Sequence, residues 1–216
     1  MARDWDERAD QLSAAAIGEG RPTAWFEQLY AAGEAGEVSM PWDRDVPQPL
    51  LAEWTSQQQL SGAGRRGVVV GCGLGADAEH LAALGFETVG FDVSPTAVRL
   101  ARERHPGSTV DYRVADLLDL PPEWSAAFDL VVEIFTVQAL PDPPRSAAMR
   151  AVSELVAPGG RLLAIAFRAT EEEPAGSGPP FSLTRDDLDA LAGDRLRAVT
   201  AEELAGPRWR VAYERR

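Results

Sequence analysis

Short apolar runs alternate with amphipathic segments through most of this 216-residue chain. Five runs rich in Val, Ile and Leu lie between residues 68 and 168, and the segments between them have helical spacing. Continuous β-branched runs are typical of strands buried on both faces, and strands separated by helices are typical of right-handed crossover units. Two further runs near the end predict an antiparallel pair that finishes the sheet. The alternation therefore predicts an α/β fold with a doubly wound, mostly parallel sheet.

The first 60 residues have a different pattern. Helical spacing is interrupted by Gly and Pro at 18–22 and at 33–41, and the stretch SMPWDRDVPQP has three prolines. We expect an N-terminal helical extension over 1–60 and a main unit over 61–216, together forming one structural unit.

Composition and charge exclude several classes of function. The net charge of −13 argues against nucleic acid or an anionic membrane as a partner, and no apolar run approaches the length of a membrane helix. Cys72 is the single cysteine and the two histidines have no ligand spacing, so no disulfide and no metal site are predicted. The charged N-terminus does not resemble a secretory signal. We expect a cytoplasmic protein that acts on small molecules, and the sequence does not indicate its oligomeric state.

The first apolar run ends in a cluster of glycines. The stretch VVVGCGLGAD places Gly71, Gly73 and Gly75 between a strand and a helix. Glycine permits sharp turns and close approach of a ligand, and the start of a helix offers free N–H groups. In an open parallel sheet this edge is where ligands bind.

Two acidic residues follow the next two strands. Asp92 lies seventeen residues after Gly75, at the end of VGFD, and Asp116 ends the following strand. A carboxylate at the first position accepts hydrogen bonds from both hydroxyls of a ribose. These strand ends predict a site for a nucleoside, and GCGLGA also fits the loose dinucleotide pattern, so a nicotinamide cofactor is an alternative at this point.

The order of these motifs resembles that of the class I S-adenosylmethionine-dependent methyltransferases. The resemblance rests on four stretches, namely VVVGCGLGADAEHLAALG, VGFDVSPTAVRLARER, YRVADLLDLP and the segment from FDLVVEIF to PGGRLLAIAF. It covers about residues 65 to 170 and implies a Rossmann-like sheet of seven strands with an antiparallel final strand. It also implies an enzyme that uses S-adenosylmethionine, with S-adenosylhomocysteine as the product.

The N-terminal stretch WFEQLYAAGEAGEVSMPWDRDVPQPLL resembles the thiopurine and thiocyanate (halide) methyltransferase group. This resemblance implies that residues 1–60 form a lid over the cofactor and help to build the substrate pocket. It implies methyl transfer to a small acceptor such as a thiol, a halide or another soft nucleophile. Trp42 and Phe135 are the expected substrate contacts.

The resemblance implies a set of cofactor contacts. In chain order they are Trp25, Tyr30, Trp42, Gly71, Cys72, Gly73, Gly75, Asp92, Val93, Ser94, Asp116, Leu117 and Glu133.

No catalytic residue is assigned. A soft anion needs no base, whereas a hydroxyl or an amine does, and Glu133 and Asp43 are then the candidates. A cofactor-binding protein without catalytic activity and a nicotinamide-dependent oxidoreductase are the alternative functions.

Overall fold

The computed structural model describes residues 4–172 and 178–216, with side chains from residue 8 onward. The strands are β1 (Arg66–Val70), β2 (Glu87–Asp92), β3 (Asp111–Val114), β4 (Phe128–Ile134), β5 (Val156–Phe167), β6 (Leu196–Leu204) and β7 (Arg208–Arg215). The helices are α1 (Asp4–Gly18), α2 (Ala24–Glu34), α3 (Pro49–Gln57), α4 (Ala76–Ala83), α5 (Pro95–Arg104), α6 (Pro144–Leu155) and α7 (Arg185–Ala192). Short 3₁₀ helices lie at Pro122–Trp124 and Val137–Ala139.

The seven strands form one sheet in the order β3-β2-β1-β4-β5-β7-β6. Strands β1 to β5 pair in parallel, and β7 runs antiparallel to both of its neighbours. The predicted fold class is therefore confirmed. Because β1 pairs with β2 on one side and with β4 on the other, the strand order reverses at β1, and ligands bind at such a reversal in open α/β sheets.

Helices cover both faces of the sheet because the central strands are apolar on both sides. Val131 of β4 faces α6 and α7, in a cluster that contains Met149 and Leu188. Val132, the next residue along, faces α3, α4 and α5, in a cluster that contains Trp54. Helix α3 therefore packs directly on the sheet.

The boundary between α6 and β5 differs from the predicted one. The sequence predicts a helix that ends at Pro158-Gly159-Gly160 and a strand that starts at 161, whereas α6 ends at Leu155 and β5 begins at Val156. Val156 pairs with Phe128, and the register then shifts before Arg161 pairs with Leu130. A bulge absorbs the extra residues, and Gly159 supplies its positive φ of 77°.

Helices α1 and α2 pack on each other through Ala9, Ala16, Trp25 and Leu29. We call residues 4–43 the lid, and it contacts the sheet side through Ala139. No described helix is both long enough and apolar enough to cross a bilayer.

Candidate functional site

The glycine loop between β1 and α4 is held in a conformation that side chains rarely adopt. Gly71 has φ 60° and Gly73 has φ 53°. A Cβ atom on Gly71 would lie 2.6 Å from the Thr136 Oγ1, and a Cβ atom on Gly73 would lie 2.9 Å from the Tyr30 hydroxyl. Both positions therefore require glycine for conformation and for space. Gly75 precedes α4 directly, at its N-cap position.

The Asp92 carboxyl is fixed at the end of β2 by the backbone. Its Oδ2 accepts the Gly73 N–H at 3.0 Å, and its Oδ1 accepts the Ser94 N–H at 3.0 Å. Burial raises the pKa of Asp92 to about 6, although the N–H groups of Ser94, Gly73 and Val93 act in the opposite direction. Each carboxyl oxygen keeps acceptor capacity for a further donor.

Glu133 is a second buried carboxyl group, at the end of β4. It has no exposed surface, and its Oε1 accepts the N–H groups of Thr136 at 2.8 Å and Val137 at 3.0 Å. Among the described residues, its Oε2 has no hydrogen-bond partner. Burial raises the pKa of Glu133 to about 7. A buried oxygen without a partner fits a donor that is supplied from outside the chain.

Asp116 follows β3 at the same edge. Its Oδ1 accepts the Leu118 N–H at 2.9 Å, and its Oδ2 accepts the Thr23 hydroxyl of the lid at 3.4 Å. Leu117 is buried in the main core with Phe91. The lid therefore reaches the third strand end that the sequence assigns to the site.

Of the predicted aromatic residues, Tyr30 and Trp42 lie beside Gly73, whereas Trp25 packs with α1 inside the lid. Tyr30 and Trp42 are edge-on, with ring centroids 6.3 Å apart, and Trp25 stacks on Phe26 at 4.0 Å. Burial and the Asp92 carboxylate hold the pKa of Tyr30 far above its ordinary value. The indole N–H of Trp25 is buried and has no partner within the described part of the chain.

Two other predicted residues have contacts that limit their chemistry. Asp43 forms an ion pair with Arg104 at 2.7 Å, and its side chain is 42% exposed, so it is a weaker candidate for a base than Glu133. The Cys72 thiol is buried beside Asp92, and burial raises its pKa well above the ordinary value. A protonated, buried thiol is a packing group rather than a nucleophile.

Phe135, the predicted substrate contact, has an unusual backbone. Its φ is 59°, which is rare for a bulky residue, and its ring stacks on Phe167 at 4.8 Å. Such outliers cluster at functional sites because the surrounding structure must stabilise them. The stacked pair joins the ends of β4 and β5.

Sequence reasoning missed two residues. The Thr136 hydroxyl donates to the Val70 carbonyl at 3.1 Å and covers Gly71. Glu27 of α2 accepts the Ser94 hydroxyl at 2.5 Å and the Thr96 hydroxyl at 2.6 Å. The partners of Glu27 lie 67 and 69 residues further along the chain, so no local pattern indicates these contacts.

A surface groove of about 500 Å³ lies at the opposite edge of the sheet and is lined in part by Arg65, Arg161 and Glu214. Arg161 is paired with Glu214 at 2.8 Å. This groove is separate from the glycine loop and contains none of the predicted site residues.

Comparison with known proteins agrees with this geometry. Residues 68–160, which contain the glycine loop, Asp92, Asp116 and Glu133, match the model of a family described as a methyltransferase domain. The chain is 38% identical over 130 residues to a ubiquinone biosynthesis O-methyltransferase of Xanthomonas axonopodis pv. citri, over 56% of this chain and 53% of that protein. The chain therefore spans about half the length of this relative.

Solved structures share the fold. One, from work on the conversion of a disulfide bond into a thioacetal group during echinomycin biosynthesis, has a TM-score of 0.71 at 22% identity and covers 88% of this chain and 91% of that one. The N-methyltransferase NodS of Bradyrhizobium japonicum, crystallised with S-adenosylhomocysteine, has a TM-score of 0.64 at 22% identity, over 81% of this chain and 91% of that one. The Rossmann-like methyltransferase fold is thus confirmed. The thiopurine and thiocyanate group is not supported, since the curated relative is an O-methyltransferase.

Proposed function

We propose that this chain is a class I S-adenosylmethionine-dependent methyltransferase that acts on a small molecule. The observation that carries the proposal is the Asp92 carboxyl, which the Gly73 N–H holds at 3.0 Å where the strand order reverses. The methyltransferase-domain match of residues 68–160 supports it. In this proposal residues 1–60 form an N-terminal segment that contains the lid, and residues 61–216 form the cofactor-binding unit.

The residues present fit this cofactor. Asp92 keeps acceptor capacity for ribose hydroxyls, and Asp116 offers a carboxylate at the next strand end. The glycine loop allows close approach, since Gly71 and Gly73 have no Cβ. The Val93 and Ser94 segment follows Asp92 directly, and Ser94 is fully buried.

The cofactor supplies a methyl group on a positively charged sulfur. The chain supplies position, electrostatics and a dry environment. The rings of Tyr30 and Trp42 lie over the glycine loop, and an aromatic face attracts a cation by about 0.5 to 2 kcal/mol. The lid also excludes water from the strand ends, because Tyr30 and Trp25 are almost completely buried.

We propose an oxygen nucleophile as the acceptor. The named relative is an O-methyltransferase, and a hydroxyl group needs a base where a thiolate or halide does not. Glu133 is the group suited to this task, because its Oε2 is buried and unpartnered among the described residues and its pKa is about 7. Its Oε2 takes the hydroxyl proton, while its Oε1 stays bound to Thr136 and Val137. The Phe135 and Phe167 stack offers an apolar wall for the rest of the acceptor.

Two alternatives make different predictions. A nicotinamide oxidoreductase would prefer NADH to S-adenosylhomocysteine, and the match of residues 68–160 to a methyltransferase domain argues against it. A cofactor-binding protein without activity would bind S-adenosylhomocysteine but methylate no acceptor.

Calorimetric titration of the unaltered protein with S-adenosylhomocysteine and with NADH tests the cofactor. We expect binding of the first only. Asp92→Asn should weaken it by about 1 to 3 kcal/mol, because the charge-assisted bonds to the ribose are lost. Asp119→Asn, at an exposed site near the same edge, is the control and should bind as the unaltered protein does. Equal affinities for all three proteins would contradict the role of Asp92.

A screen with labelled S-adenosylmethionine tests the acceptor. It compares phenols and catechols with thiols, amines and iodide. We expect turnover with hydroxyl acceptors, and Glu133→Gln should lower kcat while leaving the Kd of S-adenosylhomocysteine nearly unchanged. A lower affinity with unchanged kcat would instead place Glu133 against the cofactor. Turnover only with thiols or iodide would overturn the oxygen assignment.

A further inference from the structure

We propose that Glu27 is a positioning residue that couples closure of the lid to the orientation of the Asp92 carboxyl. The inference rests on the proposed function, because it concerns how the carboxyl assigned to the ribose is held. Glu27 itself lies on α2 and acts through Ser94.

Glu27 reaches from the first turn of α2 to the start of α5. Its Oε2 accepts the Ser94 hydroxyl at 2.5 Å and the Thr96 N–H at 3.1 Å, and its Oε1 accepts the Thr96 hydroxyl at 2.6 Å. Both oxygens are used, and all three donors come from two neighbouring residues. Charge-assisted bonds of this kind are strong and directional, so the lid has one defined position over α5.

Ser94 connects this contact to the site. Its hydroxyl donates to Glu27 and accepts the Ala97 N–H at 3.0 Å as the cap of α5. Its own N–H donates to Asp92 Oδ1 at 3.0 Å. Ser94 is fully buried, so when α2 moves away its hydroxyl loses an acceptor that water does not replace without rearrangement. Ser94, which must then rearrange, also donates its N–H to the Asp92 carboxyl, so its movement disturbs the Asp92 oxygens.

The charge of Glu27 also acts on Asp92. Burial is the largest cause of the raised pKa of Asp92, and the Glu27 carboxylate raises it further. The other titratable groups that face Asp92 are Tyr30 of the lid and Cys72 of the glycine loop. The pKa values of both are raised, so both are neutral near neutral pH. Glu27 is therefore the charged neighbour that changes the ionisation of Asp92.

Another contact holds the lid without a hydrogen bond to Glu27 or Ser94. Against its burial, which acts to raise it, the pKa of Glu27 is lowered by hydrogen bonds from Ser94 and Thr96, and the charge of Arg99 lowers it further. Glu34, also on α2, pairs with Arg99 of α5 at 2.6 Å, and both side chains are 44% exposed. Exposed pairs contribute little to stability and neither residue contacts Ser94 in the described structure. Glu34 is thus a matched control, because its carboxylate joins the same two helices at the surface.

The test compares Glu27→Gln with Glu34→Gln by titration with S-adenosylhomocysteine between pH 5 and pH 8. Glutamine keeps the shape of the side chain and removes the charge. We expect the Kd of Glu27→Gln to rise by about tenfold at pH 7.5 and that of Glu34→Gln by less than about twofold. Because the pKa of Asp92 falls when the Glu27 charge is removed, the acid midpoint of binding should move to lower pH in Glu27→Gln only. A purely structural tie between helices would not move that midpoint.

Ser94→Ala breaks the same link from its other end. In that background Glu27→Gln should change the Kd by less than about twofold, since the connection is already lost. If Glu27→Gln does not fold, as circular dichroism would show, an unchanged Kd in Ser94→Ala overturns the inference. Equal Kd values for folded Glu27→Gln and Glu34→Gln overturn it as well. Failure of the unaltered protein to bind S-adenosylhomocysteine would instead overturn the proposed function, and this inference with it.

Discussion

Two carboxyl groups, those of Asp92 and Glu133, lie in the interior on either side of β1. Neither has a cationic side chain as a hydrogen-bond partner among the residues described, and each is held by backbone N–H groups. Their ionised forms are therefore disfavoured relative to water, which explains why both pKa values are raised. Burial of such carboxyl groups destabilises the fold, and carboxyl groups with raised pKa values are typical of functional sites.

Glu133→Gln should make the protein more stable above neutral pH. The pKa of Glu133 is raised from 4.5 to about 7 in the folded chain, so ionisation above pH 7 costs the fold about 3 kcal/mol at most. Below pH 4.5 the carboxyl is protonated in both states and the cost is absent. The gain from Glu133→Gln should therefore be full at pH 8 and shrink as the pH falls from 7 to 4.5. Urea unfolding at several pH values measures it.

The control for this measurement is Glu123→Gln, at an exposed position. Its effect on the free energy of unfolding should be small. A gain in Glu133→Gln that did not change between pH 8 and pH 4.5 would show that packing, not charge, is responsible. Loss of kcat together with a gain in stability is the combination expected of a base in a buried site.

At the scale of elements, the glycine loop and α2 fit each other. Because Gly73 has no Cβ, the Tyr30 hydroxyl has room beside it. The lid and the proposed ligand therefore both need a residue without a side chain at this position. The loop, Asp92 and Asp116 could be predicted because strand ends and glycines leave a local pattern. The positions of Glu27 and Thr136 could not, since each acts across more than 60 residues of chain.

The variant Gly73→Ala, alone and with Tyr30→Phe, distinguishes room for Tyr30 from room for the cofactor. Alanine at a φ of 53° costs about 1 to 2 kcal/mol, and its Cβ would also clash with the Tyr30 hydroxyl. We expect Gly73→Ala to lower the free energy of unfolding, and Tyr30→Phe in the same chain to restore part of it. If the glycine also admits the cofactor, the double variant should still bind S-adenosylhomocysteine poorly. Full recovery of binding would show that Gly73 only makes room for Tyr30.

At the scale of the molecule, Arg210 joins distant parts of the chain. It lies on β7 with only 3% of its side chain exposed. It donates to Glu202 of β6 at 2.8 and 3.0 Å, to Glu53 of α3 at 2.9 Å and to the Leu50 carbonyl at 3.2 Å. These bonds attach α3 to the antiparallel end of the sheet, well away from the glycine loop.

Arg210→Met should lower the free energy of unfolding of the whole molecule without weakening cofactor binding. Methionine keeps the apolar stem but makes none of these bonds, so we expect a loss of about 2 kcal/mol and a Tm lower by roughly 4 to 8 °C. Arg197→Met, at an exposed pair with Glu214 of 3.9 Å, is the control and should change the Tm little. Scanning calorimetry measures both, and the Kd of S-adenosylhomocysteine should stay the same. A weaker Kd in Arg210→Met would mean that α3 communicates with the site.

The sequence predicts the overall architecture more completely than the boundaries of the elements or the group of relatives. Alternating apolar runs predict the parallel strands, and the Thr184 and Asp187 capping box predicts the start of α7, where both reciprocal bonds are present. The sequence could not predict the early start of β5. Pro158-Gly159 resembles a turn, so the strand is expected after it, whereas Val156 already pairs with Phe128 of β4. The group of relatives was wrongly predicted for a related reason. That prediction rested on aromatic residues and prolines of the N-terminal stretch, whereas the residues that set acceptor choice lie in loops, which vary freely on one fold.

The contact between Glu27 and Ser94 spans 67 residues, and this has a consequence for synthesis on the ribosome. The lid helices leave the exit tunnel before any part of the surface on which they rest. Tyr30, which is buried in a cluster with Leu74 and Ala97 in the finished protein, then stays uncovered until α5 has been made. We therefore expect the lid helices to be a chaperone-binding segment of the nascent chain.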